Sequence, residues 1–278
     1  MRKLINDLVS SNYHLLKNKF QEKIPHHKCG ISEFDRNRIL KPEFITNNSV
    51  QLFGKPFHYS SATALLHSLD ELFLDEIYKF KSESESPYII DCGANMGLSV
   101  LYFKHLYPNA EIDAFEPDKN ICEILQKNVD TIFGDQSIRV HDKAIWTKET
   151  ILEFFSDGGL SGSMVADFAN TKVSNKIQTV DLKKYLNRTV DFLKIDIEGA
   201  ENEVIFDLKS HLGTVKNLFL EYHGIKDTKQ NLGDILNLLK EEGFEYYIRL
   251  AGETLRFPFL GEEPRVYNQQ LNILCYRK

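Results

Sequence analysis

From Tyr88 onward the chain is a succession of short apolar bursts separated by amphipathic stretches. The bursts read YIID, EIDAFEP, SIRVHDKAI, VDFLKIDIEG, NLFLEYH, FEYYIRL and QLNILCYR. Apolar residues at consecutive positions mark strands covered on both faces. Between them, LSVLYFKHLY, KNICEILQKNV, AENEVIFDLK and NLGDILNLLKEEG place apolar residues at helical spacing. Strands alternating with helices predict a doubly wound α/β domain around a mainly parallel sheet. The last two bursts follow each other with no helix between them, which predicts an antiparallel C-terminal strand.

The region before Tyr88 has a different texture. ATALLHSLDELFLDEIYKF carries Leu65, Leu66, Leu69, Leu72, Phe73 and Ile77 at helical spacing, and the serine- and glutamate-rich SESESP then breaks the pattern. Two parts are expected: a helix-rich N-terminal segment, 1–86, and the α/β domain, 87–278. Tyr59 and His67 are candidates for residues by which the first part caps a cleft in the second.

Composition narrows the function classes. Hydrophobic residues make up 42% and charged residues 27% of 278 residues, with a net charge of −6. No concentrated Lys/Arg run offers a nucleic-acid patch. No apolar run approaches the roughly 20 residues needed to span a bilayer, and the first twenty residues lack a signal-peptide core, so a cytoplasmic location is expected. Cys29, Cys92, Cys122 and Cys275 are scattered without CxxC spacing and read as small core residues. His26, His27 and Cys29 lie close together but lack a second ligand pair at zinc spacing.

The stretch YIIDCGANMGLSV carries the first chemical signal. A strand turns into a helix through Asp91, Gly93, Asn95 and Gly97, and in an open parallel sheet ligands bind at such carboxyl ends. A dinucleotide site favours G-x-G-x-x-G, whereas here an acid precedes the first glycine. A carboxylate repels a diphosphate and attracts a cation, so Asp91 points to S-adenosyl-L-methionine, which carries a sulfonium and an ammonium and no phosphate. Glu116 ends the next strand, roughly the ~20 residues downstream at which an acid accepts from ribose hydroxyls. It suits either nucleotide class. Asp142, at the end of the third strand, is placed to accept from an adenine amino group, with the backbone of Lys143 and Ala144 beside the ring.

IIDCGANMGLSVLYF, AFEPDKNICEILQKN, KAIW and above all VDFLKIDIEGAENEVI resemble the FkbM-type family of class I, Rossmann-like S-adenosylmethionine-dependent methyltransferases. The resemblance runs from about Tyr88 to the C-terminus. It implies methyl transfer to an oxygen of a sugar, glycolipid or polyketide-like acceptor. The cofactor set it suggests is Asp91, Gly93, Ala94, Asn95, Gly97, Glu116, Pro117, Asp142, Lys143, Ala144 and Asp196.

At the end of the fourth strand, KIDIEGAE places Asp196 and Glu198 on one face by the two-residue period, and Glu201 opens the following helix. The fifth strand ends FLEYHG, bringing Glu221 and His223 to the same rim. His223, read as neutral near pH 7, is the expected general base, with Asp196 or Glu198 orienting it or the acceptor. A divalent metal is not the favoured arrangement. The rival arrangement has Asp196, Glu198 and Glu221 offering oxygen ligands to Mg²⁺ or Ca²⁺. Ser161 and Ser163, in the glycine-rich SDGGLSGSMVADF, are candidate acceptor-site donors. An NAD-linked oxidoreductase and a non-catalytic cofactor-binding module are the competing functions.

Overall fold

The computed structural model describes residues 29–277, apart from 32, 40, 42–47, 135, 157–161, 164–174, 253–254 and 265. His26, His27 and Ser161, and the side chain of Ser163, fall outside the described residues. The chain opens with α1 (Glu33–Ile39), a hairpin of β1 (Ser49–Leu52) and β2 (Lys55–His58), and α2 (Ala62–Leu69). The α/β region follows as β3 (Tyr88–Cys92), α3 (Leu98–Leu106), β4 (Glu111–Phe115), α4 (Lys119–Ile132) and β5 (Ile138–His141). A smaller sheet comes next, from β6 (Ala144–Trp146), β7 (Ile151–Ser156), β8 (Gly162–Ser163) and β9 (Asn175–Asp181). The chain then forms β10 (Val190–Ile195), α5 (Glu201–Asp207), β11 (Val215–Ile225), α6 (Leu232–Glu241), β12 (Glu245–Leu250) and β13 (Tyr267–Tyr276).

The main sheet has seven strands in the order β12-β13-β11-β10-β3-β4-β5. β11, β10, β3, β4 and β5 run parallel, and β13 pairs antiparallel with both β11 and β12. The chain leaves β3 towards β4 and β5, then returns to β10 on the other side. The strand order therefore reverses between β3 and β10, where open α/β sheets open a crevice. The terminal hairpin forms as expected, but its second strand slots inside the first.

The continuous apolar runs have the anticipated cause: every residue of β3 and β10 is buried. Their side chains alternate between two cores. Ile89, Phe192 and Phe219 join one cluster, whereas Ile90, Leu193 and Leu218 join the other. The first cluster also holds Leu52, Phe57, Leu65 and Phe73, so the segment before Tyr88 shares its core with one face of the sheet. All four cysteines are buried and free.

Three local expectations change. The N-terminal segment contains a hairpin among its helices, turned by Phe53 and Gly54 at φ 49° and 74°, the two left-handed positions of a type I′ turn. The long helix over Leu65–Ile77 stops at Leu69 and passes into a π turn, Asp70–Leu74, which buries both Leu72 and Phe73. Phe73 then meets Tyr102 edge-on with centroids 5.4 Å apart. The single third strand divides at Asp142: β5 stays in the main sheet, and β6 pairs in parallel with β9. Among the described residues, no helix is long and apolar enough to cross a membrane.

Candidate active site

A cavity of about 640 Å³ opens at the reversal of strand order. Its floor is the turn after β3. The amides of Gly93 and Ala94 both donate to the Phe115 carbonyl, at 3.0 and 2.9 Å, which ties this turn to the end of β4. Gly93 has φ +87°, and a Cβ there would strike the Asp196 carbonyl oxygen. Asn95 is also left-handed, at φ 48°, a conformation that Asn tolerates better than most residues. This aims the Asn95 amide at Glu116 Oε2, 2.9 Å away, while the Asp118 amide donates to Glu116 Oε1 at 2.9 Å. Burial pushes the Glu116 carboxyl up to about 7 against those two hydrogen bonds.

Asp91 does not line this cavity. It is fully buried beneath the turn, where one carboxylate oxygen accepts from Ser99 Oγ and the other lies 3.3 Å from Lys194 Nζ. The register explains the pair: Asp91 and Lys194 are direct partners across the β3–β10 ladder. Lys194 is a hub, 3.2 Å from Asp196 Oδ2 and donating to the Gly93 carbonyl at 2.7 Å. Burial alone would lower its ammonium, but Asp196 and Asp91, with Tyr78, hold it well above the usual lysine range. The expectation that Asp91 meets a ligand cation is thus corrected, because its charge is already answered by Lys194.

Of the other residues anticipated for a cofactor, Gly93, Ala94, Asn95, Glu116, Pro117, Lys143, Ala144 and Asp196 line the cavity. Gly97 sits behind it as the N-cap of α3, and Asp142 is exposed outside it. His67 contributes to the wall, but Tyr59 is buried in the core.

The far wall is built by the ends of β10, β11 and β13. Glu198 sits at φ 53° and Gly199 at φ 101°, so the chain after β10 bends through two left-handed residues. Glu198 Oε2 accepts from the Tyr267 hydroxyl at 2.7 Å, and Gln270 Nε2 donates to Glu221 Oε1 at 3.1 Å. Burial lifts Glu198 to about 7 and, with the nearby Asp196 charge, lifts Glu221 to about 8. Tyr267, Gln270, Tyr78 and Glu71 also line this end, and sequence reasoning missed all four. β13 was legible as a strand, but its place beside β11 was not.

His223 differs most from expectation. It is fully buried and outside the cavity lining. Glu201 Oε1 accepts from the His223 amide at 2.8 Å and lies 3.0 Å from Nδ1. Burial would lower the imidazole, but Glu201, Glu198 and Glu221 together push it up to about 10. Enclosed by these acids and absent from the cavity lining, the ring does not stand as the cavity-facing neutral general base that was anticipated.

The chain is similar in sequence to known methyltransferases. Residues 91–246 match the family model of the methyltransferase FkbM domain. The chain is 27% identical over 219 residues to the methyltransferase sdnD of Sordaria araneosa, covering 63% of this chain and 80% of that one. It is 24% identical over 160 residues to the 2-O-methyltransferase NoeI of Sinorhizobium fredii (strain NBRC 101917 / NGR234), covering 50% and 65%. A crystal structure of an FkbM methyltransferase from Methylobacillus flagellatus KT superimposes with TM-score 0.44 at 20% identity. That superposition covers 70% of this chain and 45% of the crystallised one. The family match takes in the glycine turn, the ends of β4 and β10 and the whole of β11, and the chain belongs to the FkbM methyltransferase family.

Proposed function

We propose that the chain transfers a methyl group from S-adenosyl-L-methionine to a hydroxyl oxygen of a small-molecule or glycan acceptor: a sugar, glycolipid or polyketide-like alcohol. The observation that carries this reading is the charge of the cavity wall. Glu71, Glu116, Asp118, Asp196, Glu198 and Glu221 line it against Lys143 and Lys194, an excess of acids that remains even though burial holds Glu116, Glu198 and Glu221 only partly ionised near neutral pH. Such a lining favours a sulfonium and an ammonium over a pyrophosphate. The preference first assigned to Asp91 therefore belongs to the wall as a whole. The cavity volume lies within the range of small-molecule sites.

In this reading the turn Gly93–Asn95 and Glu116 hold the nucleoside, Glu116 accepting from ribose hydroxyls. Lys143 and Ala144 flank the base, and Asp196 meets the cationic end. S-adenosyl-L-methionine supplies a methyl group on a cationic sulfur. Glu198, held by the Tyr267 hydroxyl, would take the proton that leaves the acceptor oxygen as the new C–O bond forms and the methyl–sulfur bond breaks, its electron pair staying on the sulfur of the departing S-adenosylhomocysteine. The described residues of segment 1–86 act as a cap over the acceptor end of domain 87–278, with His67, Glu71 and Tyr78 reaching the cavity. The naming of NoeI as a 2-O-methyltransferase supports oxygen as the methylated atom.

Calorimetry with S-adenosyl-L-methionine, S-adenosylhomocysteine and NAD tests the donor. The two sulfur compounds should bind and NAD should not; NAD binding alone would revive the oxidoreductase reading. Incubation with methyl-labelled donor and a panel of hydroxylated acceptors, followed by NMR of the product, tests the atom. Label found on nitrogen or carbon would refute O-methylation.

A further inference from the structure

Beside the cofactor half of the cavity, Asp196, Glu221 and His223 bring one donor atom each to within 4.8 Å of one another. An ion about 2.1 Å from its ligands spaces them roughly 3.0–4.2 Å apart, so the three donors need only a small contraction. The trio comes from two neighbouring parallel strands, with Asp196 just past β10 and Glu221 and His223 two apart on β11. The site therefore rests on the sheet rather than on a loop.

Two further observations separate it from an ordinary acidic patch. Glu201 Oε1, fully buried, lies 3.0 Å from His223 Nδ1 and accepts from the His223 amide. This is the outer carboxylate that fixes a metal-ligating histidine with its other nitrogen facing the ion. His223 Nε2, buried with the ring, has its nearest carboxylates 3.4 and 3.6 Å away, on Glu198 and Glu221. Both are longer than the roughly 2.7–2.9 Å of a charge-assisted hydrogen bond, and Gln270 approaches Nε2 through its amide nitrogen at 3.2 Å. Directly across the ladder from Glu221, and so on the same face, Asn272 is 4% exposed and keeps its side-chain oxygen without a hydrogen-bond partner.

We infer that Asp196, Glu221 and His223 Nε2 form a site for a divalent first-row transition ion, Mn²⁺ by donor type, with Glu201 orienting the imidazole. Two carboxylates suit Mn²⁺ and Mg²⁺, whereas the imidazole ligand disfavours purely oxygen-seeking Mg²⁺ and Ca²⁺. Glu198, expected among the ligands of the rival arrangement, gives way to His223, whose Nε2 releases its proton to solvent as the ion binds. Three protein donors leave positions open on the ion, and an acceptor presenting two adjacent oxygens could fill them. This role rests on the methyl-transfer reading, but the site itself does not.

The test uses the full chain, chelator-treated and dialysed, with Mn²⁺ alone. Loss of the free-ion electron paramagnetic resonance signal should report one Mn²⁺ per chain, with Mg²⁺ a poor competitor. Glu221→Gln and Asp196→Asn should each weaken binding at least tenfold, and Glu201→Gln 10- to 100-fold. Far-ultraviolet circular dichroism checks each fold, and Asp196→Asn, at a partly exposed position, serves if the buried variants do not fold. No signal loss up to millimolar Mn²⁺, or unchanged affinity in Asp196→Asn and Glu221→Gln, overturns the site. Calorimetry with S-adenosyl-L-methionine on the same metal-free sample keeps the two readings apart, since either can fail while the other stands.

Discussion

Replacing Lys194 with Met tests the buried charge layer on which the cavity floor rests. The lysine side chain is 3% exposed, and its ammonium lies 3.3 Å from Asp91 and 3.2 Å from Asp196. At an effective dielectric of about 20, each contact is worth about 5 kcal/mol before desolvation. Met fills the volume but leaves Asp91, with no exposed side-chain surface, as a buried charge without a counterion. Breaking such a pair from one side costs about 3–5 kcal/mol, a large part of a domain's typical stability of about 5–15 kcal/mol. Removing the orphaned charge as well, in Asp91→Asn/Lys194→Met, should recover at least about 2 kcal/mol, because a neutral pair has no unanswered desolvation. Urea denaturation at unchanged slope measures both. The pH sign is also fixed. Lys194 is held above its ordinary value of 10.5, so its contribution is fully present below that pH and is lost only above it. The deficit should therefore be flat between about pH 6 and 9. A single variant within about 1 kcal/mol of wild type, or a double variant no better than the single, would refute the reasoning.

Glu116, raised to about 7 by burial with Asp118 and Lys194 as its charged neighbours, should bind ribose hydroxyls as the ionised carboxylate. Affinity for S-adenosyl-L-methionine by calorimetry should then fall as pH drops below about 7, by up to tenfold per unit, and Glu116→Gln should flatten the profile. Gly93→Ala sets a Cβ against the Asp196 carbonyl at φ +87°; S-adenosyl-L-methionine affinity should fall about 100-fold, and wild-type binding would contradict the close approach. Tyr267→Phe removes the hydroxyl that holds Glu198 and should lower kcat about tenfold with the dissociation constant of S-adenosyl-L-methionine unchanged; equal loss in both would assign Tyr267 to cofactor binding. Although burial would raise Asp113, Arg139, His141 and Tyr88 outweigh it and hold the carboxyl far below its usual range. Its contribution is thus present above its ordinary value of 3.8 and fades only in acid. Asp113→Asn should destabilise by about 2–3 kcal/mol at pH 7, with a gap to wild type that closes below about pH 4.

What the sequence disclosed follows burial on both faces. β3 and β10 announce themselves because neither face meets water, and the glycine turn stands out because Gly93 cannot carry a side chain there. Hidden features depend on partners distant in the chain. The β1–β2 turn lacks the Asn-Gly signal of its type, since Phe53 takes the first left-handed position. β9 alternates weakly because its first four residues are exposed or half-buried. Asp91 looked like a ligand group because nothing in its neighbourhood reveals Lys194, which the β3–β10 register delivers from 103 residues away. His223 looked like a base for the same reason: Glu201 was visible as a helix-start acid, but not as the group closing on Nδ1.

The two corrections share a cause that bears on how the cleft works. Each residue misread as an actor lies in a buried layer, Asp91 with Lys194 and His223 with Glu201, and each supports an acid that does line the cavity. Lys194 fixes Asp196, and His223 lies between Glu198 and Glu221. The backbone carries the same division. Asn95 and Glu198 both hold left-handed φ angles, a conformation costing roughly 1–2 kcal/mol for a residue with a Cβ. Asn95 spends that strain on aiming an amide at Glu116, and Glu198 on bringing a carboxylate to the Tyr267 hydroxyl. Strain at these two points persists because the paired charges beneath them over-determine the turns. Loosening the buried layer should therefore disturb ligand geometry before it unfolds the chain, which makes cofactor affinity a more sensitive reporter of Lys194 than the denaturation midpoint.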